Sequence, residues 1–105
     1  MGKRRSDAKR RYMAILMALQ DSKCFHCGEY MTPCMHRHDG RTSRLEATIE
    51  HIIPRAARRA DDWKFSVLAH RKCNLQRADA TLSRDDITRA RMLASEALYI
   101  YDKEL

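Results

Sequence analysis

The sequence predicts a small α+β fold in which two short strands lie between a helix near each end of the chain. Three observations carry this. Apolar residues recur at helical spacing in the first and last fifth of the chain, and two short β-branched or apolar runs lie between them, at 47–53 and 65–69. Two pairs of metal-ligand spacing, Cys24-x-x-Cys27 and His70-x-x-Cys73, bracket these runs. At 105 residues the chain reads as one domain, 1–105, whose modest core would gain from a structural metal.

Taken in order, Ser6 can cap a helix over 6–20, with Asp7 in its first turn, where a negative charge meets the positive end of the helix dipole. Tyr12, Ile15, Leu16 and Leu19 share one face and should enter the core, and Met13 and Met17 widen that stripe. Lys3, Arg4, Arg5, Lys9, Arg10 and Arg11 make this end basic, which suits a solvated face or an arm that tracks phosphates. Residues 21–28 read as a turn carrying the first pair, with Gly28 supplying the tight bend after Cys27. Residues 29–45 show little periodicity and read as a loop with short β pieces. A strand over 47–53 is ended by Pro54, which has no N–H for a ladder. A polar loop over 55–62 follows, then a second strand over 65–69 and a helix over 70–80 that opens on the second pair. Ser83 and Asp86 have the spacing of a capping box for a last helix over 83–102, with Ile87, Ala90, Ala94, Leu98 and Tyr101 on its inner stripe. The core about the two pairs therefore spans 22–80.

Charged residues make up 33% of the chain and the formal net charge is +7, so the favoured large partner is a polyanion. No run reaches the roughly 18 apolar residues of a membrane span, and the basic start lacks a small-residue cleavage site. Four cysteines allow three disulfide pairings. Their spacing, without an export signal, favours zinc in a reducing, cytoplasmic compartment. Cys24, Cys27, His70 and Cys73 offer three thiolates and an imidazole, a tetrahedral zinc set, and closing the span between the pairs would fix everything inside it. Cys34, His36 and His38 are a rival ligand group, but with only loop spacing to support them a free cysteine and surface histidines are preferred.

Inside that span sit Glu50 and His51, and Asn74 follows Cys73 directly. Phosphodiester hydrolysis needs an activated water and a neutraliser for the leaving oxygen. A histidine titrating near its ordinary value of about 6.5 can take the water's proton, and a carboxylate and an amide oxygen can hold one hard cation. Neighbours in a flat strand point to opposite faces, so Glu50 and His51 converge only if the ribbon twists or breaks there. Arg55, Arg58, Arg59, Arg71, Lys72 and Arg77 surround the group and could hold phosphates, which position a duplex without reading its sequence. Trp63 and Phe65 read as core residues rather than base-stacking groups.

From Cys24 to Arg77 this arrangement resembles the HNH endonuclease family, in which a strand ends in an acid–His pair and a second strand leads to a helix opening on a knuckle and Asn. The resemblance implies a ββα-metal core and DNA as substrate, cut to 3′-hydroxyl and 5′-phosphate ends. It implies His51 as general base and Glu50 and Asn74 as ligands of a catalytic Mg²⁺ or Mn²⁺, beside structural zinc. It also implies a phage or bacterial protein, free-standing or within a larger phage or nuclease complex. Phe65 stands where members often carry an Asn that orders the loop, Arg58–Arg59 stand where a Gly-Gly is common, and Glu50 replaces the commoner Asp. The alternatives are a non-catalytic zinc-containing nucleic-acid-binding module, with Phe65 marking a decayed site, and a zinc-dependent domain that meets a protein partner through its terminal helices.

Overall fold

The second strand is where the molecule converges: every residue of it is buried, between two helices, a cysteine-bearing turn and its partner strand. The computed structural model describes residues 3–33, 43–52, 63–77 and 82–103. Among them the order is α1 (Lys3–Leu19), β1 (Ala47–His51), β2 (Ser66–His70), α2 (Arg71–Arg77) and α3 (Arg84–Lys103). The expected small α+β architecture is thus present, as three helices and one two-stranded antiparallel sheet.

Helix α1 begins at Lys3, ahead of the expected cap, so Ser6 lies inside it and its first turn carries no acid. Tyr12, Ile15 and Leu16 are buried as their spacing predicts, each worth about 1.5–3 kcal/mol as a fully buried large side chain. The helix stops in a Schellman arrangement. The Ser22 N–H reaches the Met17 carbonyl (2.8 Å) and the Asp21 N–H reaches Ala18 (3.2 Å), with Asp21 in the left-handed region at φ 54°. A tight turn then carries the first cysteine pair, closed by Gly28 N–H to Cys24 O (3.0 Å), and Gly28 takes the positive φ of 77° expected of it. The described part of the following segment holds short β pieces, a bridge of Lys23 with Tyr30 and one of Thr32 with Glu46.

β1 pairs with β2 in one unbroken register, Ala47 opposite His70 through His51 opposite Ser66. β2 starts one residue later than expected, after Phe65 at φ 57°, outside the extended region, and it ends on His70, one residue later than expected. The outer edge of β2 is covered by side chains. The Tyr12 hydroxyl donates to Ser66 O (3.1 Å) and accepts from Ser66 N–H (3.2 Å). The Gln20 amide accepts from Leu68 N–H (2.8 Å) and donates to Leu68 O (2.9 Å), as a neighbouring strand's peptide would. The Cys24 sulfur takes the His70 N–H (3.3 Å).

α3 spans nearly the expected range. Ser83 Oγ accepts the Asp86 N–H (3.2 Å), Asp85 and Asp86 lie in the first turn, and Lys103 closes the last. Ala90, Ala94, Ala97 and Tyr101 form its buried stripe, with Ile87 and Leu98 half-buried beside them. Tyr101, Tyr12 and Trp63 stack edge-to-face with centroids 5.5–6.3 Å apart, so Trp63 packs against the core as expected. Phe65 is half-buried and belongs to neither core cluster. No helix among the described residues is long and apolar enough to cross a membrane.

Candidate metal centre and the carboxylate beside it

Four ligand atoms meet where the first turn faces the end of β2 and the start of α2. Those of Cys24, Cys27, His70 and Cys73 all lie within 4.8 Å of one another. The His70 Nδ1 is 3.2 Å from the Cys27 sulfur and 3.8 Å from the Cys73 sulfur. On its far side the ring's Nε2–H donates to Tyr30 O (2.8 Å), which leaves Nδ1 as the coordinating atom and fixes the ring. Burial alone would push the Cys24 thiol up, yet backbone N–H groups of Cys27, His70 and His26 aimed at its sulfur bring it down to about 6. Cys73 moves the other way, to about 12, through burial and then through the Cys24 and Cys27 sulfurs crowding it. Three thiol groups that repel each other's charge, around one oriented imidazole, are the donor set a zinc ion satisfies. The group could hold a structural metal such as zinc, and these residues fit it.

Glu50 lies next to this centre and is 2% exposed. The sequence reading gave it a metal; the structure gives it three hydrogen bonds. Arg77 donates from Nε to Oε2 (3.0 Å) and from Nη2 to Oε1 (2.8 Å), and His26 Nε2 lies 2.6 Å from Oε2. Burial opposes the charged carboxylate, but the bonds from His26 and Arg77 and their charges outweigh it and hold the group below the ordinary glutamate range. His26 was not singled out by sequence. It occupies an intervening position of the Cys24–Cys27 turn, and the one signal for it was its place between two ligands on a tight bend, which projects it across the sheet.

Asn74 lies on α2 three residues before Arg77, one turn away on the same face. Its amide nitrogen donates to Ile49 O (2.8 Å) and Thr48 Oγ1 (3.3 Å), so it ties α2 to β1 beside Glu50. A hard divalent cation held by Glu50 and Asn74 does not fit this arrangement. The misfit lies at Glu50, where Arg77 engages both carboxylate oxygens and His26 lies on Oε2 as well; the Asn74 amide turns its nitrogen to the strand. His51, half-buried, ends β1 opposite Ser66; because the register runs unbroken, it leaves the strand on the face opposite to Glu50. The pairing shows no break between Glu50 and His51 that would bring the two together.

Of the expected phosphate contacts, Arg71 and Lys72 are half-buried at the start of α2, and Arg77 lies on Glu50. Arg55, Arg58 and Arg59 lie outside the described residues, as do Cys34, His36 and His38. Compared with known protein families, curated proteins and solved structures, the chain matches none.

Proposed function

We propose that the protein is a zinc-tied DNA endonuclease of HNH type, in which His51 takes the proton of the attacking water. The observation that supports this best is the placement of Asn74. Its bonds to Thr48 and Ile49 set the helix that leaves the metal centre against the strand that carries the acid–His pair. Zinc at Cys24, Cys27, His70 and Cys73 would hold the first turn and α2 in that relation and supply no step of the reaction. Arg71 and Lys72, with the net charge of +7, favour a phosphate backbone as the ligand. No step is assigned to magnesium or manganese, because Glu50 has no open oxygen as it is arranged.

The closed Glu50 also favours a second reading, a nucleic-acid-binding module without catalysis, in which Arg77 permanently fills the acidic position. Supercoiled plasmid separates the two. Zinc-loaded protein with added Mg²⁺ or Mn²⁺ should nick it, and His51→Ala should lower nicking by roughly 10²–10⁴-fold, the usual worth of a general base. Zinc content and DNA affinity should hardly change in that variant. A mobility shift with no nicking under any divalent ion sinks the nuclease and leaves the binding module. Undiminished nicking by His51→Ala removes His51 from the reaction.

A further inference from the structure

Arg11 holds two hydrogen-bond donors out of water with no acceptor for them. Its Nε and Nη2 are buried and without a hydrogen-bond partner, although buried polar groups are nearly always bonded. The guanidinium carbon stands 4.4 Å from the centre of the Tyr101 ring, whose face attracts the charge but bonds neither N–H. The same two nitrogens of Arg77 grip both oxygens of Glu50, so this pair is the fork that takes a two-oxygen anion. Lys64 brings a second cation, with Nζ 5.5 Å from the Tyr101 ring centre and 5.6 Å from that of Trp63. No carboxylate among the described residues pairs with Arg11 or Lys64. The cluster lies at one end of the sheet. His51 ends β1 opposite Ser66, and the Ser66 backbone holds the Tyr12 hydroxyl, whose ring stacks on Trp63 and Tyr101. The candidate metal centre lies at the other end, where His70 pairs with Ala47.

We propose that Arg11 and Lys64 form a phosphate site over the Tyr101 ring, and that a nucleic-acid backbone supplies the phosphate. The source of the phosphate rests on the nucleic-acid reading above; the site itself does not. Because the fork is out of water in the free protein, the phosphate receives it when the Arg11 side chain turns outward over the ring. That turn breaks no hydrogen bond at Nε or Nη2, which make none. Lys64, exposed beside the ring, adds a point charge for a further oxygen. A carboxylate offers the fork the same two-oxygen edge, but a phosphate keeps oxygens over for Lys64. Lys9 and Arg10, exposed just before Arg11 on α1, extend the positive field in which a phosphate backbone is steered. Such a contact reads no base; it anchors the strand at the end of the sheet where His51 stands.

Trp63 is the chain's one tryptophan, so its emission reports on this cluster. Zinc-loaded protein is titrated with a short duplex bearing hydrolysis-resistant phosphorothioate linkages, and separately with inorganic phosphate, at several salt concentrations. The duplex should change Trp63 emission to saturation. Arg11→Gln should weaken duplex binding about equally across sequences and make the log–log salt dependence shallower by about one unit, and Lys64→Gln should do the same. Arg11→Lys, which keeps the charge and loses the fork, should keep the slope and still bind more weakly. A merely structural Arg11 would move melting and leave the salt slope alone. Zinc content and melting check the fold of each variant, and if Arg11→Gln does not fold, Arg11→Lys and Lys64→Gln carry the comparison. Duplex binding whose slope is unchanged by Arg11→Gln and by Lys64→Gln overturns the site and leaves the nucleic-acid reading standing. An emission change with inorganic phosphate that Arg11→Gln abolishes, without duplex binding, upholds the site and overturns its nucleic-acid source. No response to either phosphate overturns both, and tighter binding of a glutamate-rich peptide than of either phosphate overturns the choice of phosphate.

Discussion

Phe65 holds a backbone conformation, φ 57°, that costs an ordinary L-residue about 1–2 kcal/mol and that Asn adopts far more readily. Its half-buried ring offsets part of this, so the backbone term is isolated by comparing two variants that both lose the ring. Phe65→Asn should be more stable than Phe65→Ala by about 1 kcal/mol, read as a melting-temperature difference of several degrees in zinc-loaded protein. An alanine variant equal to or better than the asparagine variant would show that the turn is unstrained. The position was legible as a departure from a family pattern, but its conformation was not, because a phenylalanine next to an apolar run reads as strand. Glu50 was visible in the same partial way: its type and its neighbour marked it, while its partners His26 and Arg77 come from a turn and a helix on either side of it in sequence. Pairing of charges across such distances leaves no local signal.

Among the elements, the helices were written in their periodicity and the strands in their β-branched runs, and their limits moved where a special backbone angle intervened. What had no local signal was the protection of β2's outer edge. Tyr12 reaches Ser66 across 54 positions and Gln20 reaches Leu68 across 48. A tyrosine and a glutamine on an amphipathic helix look like a core residue and a surface residue, yet both end on the same buried strand edge. Gln20→Met keeps the volume and removes the amide. The Leu68 carbonyl then still has the Phe25 N–H (3.0 Å), but its own N–H is left buried without an acceptor. The expected loss is about 1–3 kcal/mol, with faster amide exchange at Leu68. Melting and exchange indistinguishable from the unaltered protein would mean that water or another group reaches the edge.

At the scale of the whole molecule, the candidate metal centre joins the first turn, the end of β2 and α2, parts that are otherwise tied by individual hydrogen bonds. Cys24 and Cys27 sit on a turn, His70 on the end of β2 and Cys73 on α2, which has no buried residue of its own. A structural zinc bound to four such ligands is worth about 10–16 kcal/mol in apparent terms, whereas a small domain's whole stability is about 5–15 kcal/mol. Losing the metal should therefore release the fold around β2, not merely soften it. The single bond pair that Asn74 makes to β1 is of another order, about 0.5–1.5 kcal/mol per hydrogen bond. Cys73→Ser and Asn74→Ala, one residue apart, should then separate cleanly. The first should lose zinc and its cooperative melting transition. The second should keep one zinc per chain and melt only a few degrees early, while losing plasmid nicking if the proposed activity is correct. Zinc per chain measured alongside thermal melting decides it. Should Asn74→Ala shed its zinc and melt as early as Cys73→Ser, α2 would be held by the amide rather than by the metal, and the four-ligand centre would lose its place as the tie across the molecule.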